Sequence, residues 1–188
     1  MNFRIVTTFL MALPFGVAMA NNYLGLELGT ANKESVVNEL KKEKASFEDD
    51  YGCKGYRELP KIKVSSFKIF DKYGRVESSV LSFSPDDKLY SIYVNWWDNG
   101  KSFTLIKDSL DVKYGHPKVN NQGFKTGYEY KDDDVKIYLI RDAFGFSDSQ
   151  KTSIEYIFTP VLTSVTEMQG KIDQDIKLNN AKKASQDL

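Results

Sequence analysis

Apolar residues along this chain switch between two spacings. Across residues 98–117, Phe103, Ile106, Leu110 and Tyr114 recur at intervals of three and four, which places them on one face of a helix. Asp98-Asn99-Gly100 breaks the preceding run, Ser102 can cap the first turn, and Gly115 followed by Pro117 supplies a stop. Just upstream, over residues 88–97, the period drops to two. Tyr90, Ile92, Val94 and Trp96 alternate there with Leu89, Tyr93 and Trp97. A strand that is apolar on both sides belongs in the interior of its sheet.

The same alternation of periods runs through the rest of the chain. Residues 22–29 alternate and predict a short first strand. Thr30 and Asn32 offer helix caps, and Val36, Val37, Leu40 and Phe47 share one face of a helix running to about Ser46, with Lys41-Lys42-Glu43-Lys44 on its solvated side. Residues 61–70 read as a strand whose apolar parity changes at Ser65-Ser66, the mark of a bulge. Asp71-Lys72-Tyr73-Gly74 is a hairpin turn, 75–83 a second strand, and Ser84-Pro85-Asp86-Asp87 the turn before 88–97.

After the central helix the order returns. Strands are predicted at 123–131, 135–140 and 152–158, with Asp132-Asp133-Asp134 as a turn and a longer loop over 142–151. From Pro160, Val161, Val165, Met168, Ile172 and Ile176 trace a C-terminal helix with a narrow apolar stripe, weakened by Gly170. The polar end, 179–188, is expected to fray or stay disordered. The predicted fold is α+β: an antiparallel sheet of about six strands from two helix-plus-three-strand units, about 21–97 and 98–159, with helices on one face. The C-terminal helix completes a single domain over 21–178.

The first twenty residues stand apart. Met1-Asn2-Phe3-Arg4 is a positive start, 5–17 an apolar run too short to span a bilayer, and Ala18-Met19-Ala20 the small-x-small pattern of signal peptidase. This predicts a secretory signal cleaved after Ala20, with delivery to a periplasm or to the exterior and no later membrane insertion. Charge excludes another class: 26 basic and 26 acidic side chains give no electrostatic basis for binding nucleic acid or anionic membrane. Aromatics are plentiful, with 2 Trp, 11 Tyr and 12 Phe, nearly every strand carrying one or two. Cys53 is the only cysteine, so the fold has no internal disulfide, and that thiol is either buried and inert or free to link two chains into a dimer.

Helix, meander, helix, meander in a small exported chain resembles the tandem architecture of the β-lactamase-inhibitor-protein-like group. Leu24-Gly25-Leu26-Glu27-Leu28-Gly29-Thr30 leading into Val36-Val37 is similar to the strand, Gly, Thr and helix opening of those repeats and of related outer-membrane assembly lipoproteins. Leu81-Ser82-Phe83 with Lys88-Leu89 is similar to their later hairpin. The chain departs from the group in lacking a lipobox and the inhibitors' disulfides. The resemblance implies a sheet that presents a surface to another protein, and assigns no binding residue.

Candidate chemistry is sparse. His116 is the only histidine and lies between Gly115 and Pro117, where a helix-terminal imidazole meets the last carbonyls; pairing it with Cys53 as base and nucleophile has no surrounding signature to support it. The runs Glu48-Asp49-Asp50 and Asp132-Asp133-Asp134 miss the calcium-loop pattern, and neither a phosphate-binding loop nor a nucleophile elbow occurs. No catalytic, cofactor or metal residue is therefore assigned. The segment 48–60 is long against a typical loop of about four to six residues and holds Tyr51, Cys53 and Tyr56. With Trp97 these form the candidate interaction set, because adjacent strand residues point oppositely and Trp96 is the better core candidate. The residues thus point to a non-enzymatic exported protein that binds another protein in the envelope, inhibitor- or immunity-like. The alternative is a small-ligand or glycan module with its groove near Trp97 and the Tyr51–Tyr56 loop.

Overall fold

The computed structural model describes residues 22–49, 51, 58–98, 100–144 and 150–185. Its chain order begins with a tight hairpin, β1 (Asn22–Tyr23) and β2 (Leu26–Glu27), followed by α1 (Lys33–Lys42) and β3 (Ser46–Glu48). Then come β4 (Lys61–Ser66), the single turn α2 (Lys68–Asp71), β5 (Arg75–Phe83) and β6 (Leu89–Trp97). The second half runs α3 (Lys101–Tyr114), β7 (Lys118–Gln122), β8 (Lys125–Asp132), β9 (Val135–Asp142) and β10 (Lys151–Phe158), and α4 (Leu162–Ala184) closes the described chain.

The sheet holds eight antiparallel strands in the order β3-β4-β5-β6-β10-β9-β8-β7. Each half contributes a four-stranded meander, and the last strands of the two halves, β6 and β10, pair at the centre. The α+β class with helices against one face is as expected, but two strands exceed the predicted six. Both are edges. In β7 every side chain is exposed and only Val119 is apolar, so no alternation marks it. Phe47, taken for the end of the first helix, lies in β3 instead.

That helix ends early for a local reason. Lys44 turns left-handed with φ 57°, and the Ala45 N–H closes on the Leu40 carbonyl at 2.9 Å. Its start is capped as anticipated, Asn32 Oδ1 accepting from the Ser35 N–H at 2.8 Å. The register between β3 and β4 slips by one residue opposite Ser65. Beyond Ser66 the expected strand becomes α2, which brings Phe67 and Phe70 edge to face with ring centroids 4.9 Å apart. The C-terminal helix runs on to Ala184, through most of the polar stretch expected to fray, and none of its side chains is fully buried.

The core lies between the sheet and α1 with α3. Val36, Val37 and Leu40 of α1 and Phe103, Ile106 and Leu110 of α3 join Ile62, Val64, Leu81, Ile92, Val94 and Trp96 in one cluster. Trp96 is fully buried, and its indole N–H donates to the Phe70 carbonyl at 2.9 Å, so the largest core side chain leaves no polar atom unpaired. The N-terminal hairpin is tied to the far half, Tyr23 stacking on Tyr156 at 4.9 Å and donating its hydroxyl to Asp132 at 2.7 Å.

Asp98 joins the halves. It is buried at the end of β6, and its carboxylate accepts from the N–H groups of Gly100 (2.8 Å), Ser102 (3.0 Å) and Phe103 (2.9 Å) and from the Thr152 hydroxyl of β10 (2.6 Å). The helix N-terminus is therefore satisfied by Asp98 and not by a Ser102 cap. Burial alone would raise the Asp98 pKa, but the bonds from Thr152, Phe103, Ser102 and Gly100 outweigh it and hold the carboxyl below its ordinary value. Asp98→Ala should cost about 3 kcal/mol in urea unfolding at neutral pH, from the lost cap and the orphaned Thr152 hydroxyl. Because the folded pKa is the lower one, this stabilisation is complete above the unfolded value near ~3.9 and is lost as pH falls through the folded value. Protonation removes the charge-dependent part, so the wild-type and variant stability curves should draw closer there.

Candidate functional site

Alternation along the strands gives the sheet a second face, turned away from α1 and α3. On β6 it is carried by Tyr93, Asn95 and Trp97, each half-buried between the fully buried Ile92, Val94 and Trp96. Strand pairing extends it into rows. The uppermost runs Arg75, Trp97, Lys151, Asp142, Lys125 and Gln122 across six strands. The next includes Asn95, Ser153, Ile140, Gly127 and Asn120, and the third Val80, Tyr93, Glu155, Tyr138, Glu129 and Lys118.

In the first row the Trp97 ring lies between two cations, the Arg75 guanidinium 5.6 Å from its centroid and the Lys151 ammonium 4.5 Å. Glu77, the extra residue where the β5–β6 register shifts, accepts from Lys151 Nζ and from Asn95 Nδ2, each at 2.5 Å. Lys125 pairs with Asp142 at 3.4 Å. Beyond this row Phe124 and Phe144 pack edge to face with centroids 5.5 Å apart, yet remain 65% and 68% exposed. Two aromatic rings that cover each other but little else leave a prominent apolar tip at this end of the sheet.

Glu155 stands out in the third row. Burial raises its pKa, and the one opposing influence is the Ser91 hydroxyl, which donates to it at 2.9 Å. Among the described residues no cation pairs with it. Beside it, between β7 and β9, a groove of about 420 Å³ opens, lined on this face by Gly127, Tyr138 and Ile140 together with Lys118, Lys125 and Glu129.

Of the four sequence candidates, Trp97 and Tyr51 are described, and Cys53 and Tyr56 lie outside the described residues. Tyr51 is exposed, its ring 5.2 Å from Nζ of Lys63, a β4 residue two strands and two rows from Trp97. The structure thus does not bring them into one constellation. Sequence reasoning missed Phe124 and Phe144, which flank strand ends, and the groove at Gly127. The Gly127 signal was present in another form: a glycine inside an alternating run leaves a gap in the row of side chains on its face.

His116 is exposed just past the end of α3. Among the described residues no three His, Cys, Asp or Glu side chains converge as a metal site would need, and no helix is long and apolar enough to cross a membrane. No family model, curated protein or solved structure matches the chain.

Glu155→Gln keeps an acceptor for Ser91 and removes a poorly hydrated charge. Its stability in urea should equal wild type below about pH 4.3, where both side chains are neutral. It should exceed wild type increasingly as pH rises towards the raised folded pKa, and level off above it.

Proposed function

We propose that this is an exported, non-enzymatic protein whose outer sheet face binds another protein of the envelope, in the manner of an inhibitor or immunity factor. The observation that carries this reading is the first row: Trp97 held rigidly between Arg75 and Lys151, with the exposed Phe124–Phe144 tip beside it. Tryptophan, tyrosine and arginine are the residues that dominate protein interfaces, and a ring already fixed by neighbouring cations has little conformational freedom left to lose on binding. Arg75 is exposed and, among the described residues, has no carboxylate partner, so its charge is available to a partner. The N-terminal signal pattern supports export, and the resemblance to tandem helix-and-meander inhibitors implies a sheet that presents a surface to another protein.

The tagged protein purified from the periplasm should carry a stoichiometric partner. Trp97→Ala should weaken that complex about thirtyfold or more, the effect of losing an anchor worth about 2 kcal/mol, without loss of the folded far-ultraviolet spectrum. Recovery of no partner across several growth conditions, or a partner held equally well by Trp97→Ala, would contradict the reading. Binding of envelope glycans in its place would favour a carbohydrate module.

A further inference from the structure

Glu155 stands at the centre of the outer face, in a row that alternates ring and carboxylate. Directly opposite it lie Tyr93 on β6 and Tyr138 on β9, and Glu129 follows on β8. Both tyrosines are half-buried, and each is one strand spacing, about 4.8 Å, from β10. The Tyr93 hydroxyl bonds Ser153 and not the carboxylate. Among the described residues the one donor to Glu155 is the Ser91 hydroxyl, on Oε1 at 2.9 Å. A carboxylate can accept about four such bonds.

The cations of this face are committed elsewhere. Lys151, four residues along β10, donates to Glu77 at 2.5 Å and lies over the Trp97 ring. Lys136, diagonal to Glu155 on β9, pairs with Glu129 at 3.9 Å. Lys63 and Lys118 sit at the two ends of the row, each three strands from β10, about 14 Å. Tyr90, the extra residue where the β5–β6 register shifts, lies between two influences: burial raises its pKa, Lys61 lowers it and Glu155 raises it. The Glu155 charge is carried at a cost to stability, since burial acts against it and only the Ser91 bond opposes that. A glutamine would keep the Ser91 bond, so the fold asks for the shape of this side chain and not for its charge.

We infer that Glu155, between Tyr93 and Tyr138, seats one arginine side chain of the protein partner. An uncompensated carboxylate specifies a cation, and the flanking rings specify which kind. A guanidinium is planar and weakly hydrated, and it stacks on an aromatic face while its N–H fork meets a carboxylate. An ammonium must give up a tighter hydration shell to reach the same place. Glu155 lies about 13 Å along the strands from the Trp97 row, so one footprint carries Arg75 at one end and a carboxylate at the other. This inference rests on the protein-binding reading above and names what the partner presents to that face.

The test follows the Glu155 carboxyl carbon and the Tyr93 and Tyr138 ring protons of the isotope-labelled protein by NMR. In the free protein Glu155 should titrate above the ordinary glutamate value of about 4.3. An ordinary or lowered value, as a bond from Lys136 would give, overturns the inference. Four probes are then compared at fixed ionic strength: acetyl-arginine amide, acetyl-lysine amide, acetyl-citrulline amide and choline. The arginine probe should move the carboxyl and both rings, lower the Glu155 pKa, and bind more weakly as pH falls through it. Lysine and choline should bind at least about threefold more weakly, and citrulline, with arginine's shape but no charge, should leave the carboxyl unmoved. An arginine probe without effect, or any other probe equally effective, overturns the inference. Glu155→Gln should lose the arginine response, and a response it retains would also overturn it. Should that variant fail to fold, the probe comparison on the wild-type protein decides alone. A co-purified partner lost by Trp97→Ala but held by Glu155→Gln as well as by wild type defeats this inference and leaves the broader reading intact. Absence of any protein partner defeats that reading itself.

Discussion

A buried carboxylate at the seam governs how this chain can fold. Asp98 ends β6, starts α3 and bonds Thr152 on β10, so a strand of the first half, the helix opening the second and the final strand meet at one side chain. Removing an ion this far from water is costly unless its lone pairs are filled, and four donors fill them here. The same seam carries the β6–β10 pairing, unbroken from Trp97 opposite Lys151 to Ser91 opposite Ile157. Two four-stranded meanders, each short of a full core, thereby share one.

With α1 and α3 committed to one face, the other is released from the demands of the core. Features that are locally unfavourable gather there: Glu155 without a cation, Lys131 opposite Lys136, Gly127 inside a strand, and two phenylalanines left in solvent. Each lowers the stability of the isolated sheet by a modest amount, and none is forced by the backbone or by packing. Local rules broken together on a single surface are what selection for something other than stability leaves behind. That is the physical basis for proposing recognition at this face.

Much of this was legible in the sequence, because the periods were clean where burial is one-sided. The 3.6-residue stripe of α3 and the both-sided apolarity of β6 appear where the residues put them, and the Asp132-Asp133-Asp134 turn does so one residue shorter, Asp132 closing β8. The edges did not show. An edge strand need bury nothing, so Lys118–Gln122 carries no alternation, and Phe47 satisfied a helical spacing that Lys44 and Ala45 had already ended. The site was harder still. Its rows are assembled across strands, from Arg75 through Lys151 to Lys125, and pairing of that kind is invisible until register is known. Trp97 could be singled out because its neighbour Trp96 had to face the other way; Arg75 and Lys151 offered no such cue.

Native-state hydrogen exchange tests the central claim, that the seam makes the two halves a single cooperative structure. The slowest amides should come from β6 and β10 together with their neighbours β5 and β9, and all should share one opening free energy equal to that of global unfolding, with β3 and β7 exchanging sooner. Two sets of protected amides with separate free energies, one for each half, would contradict it.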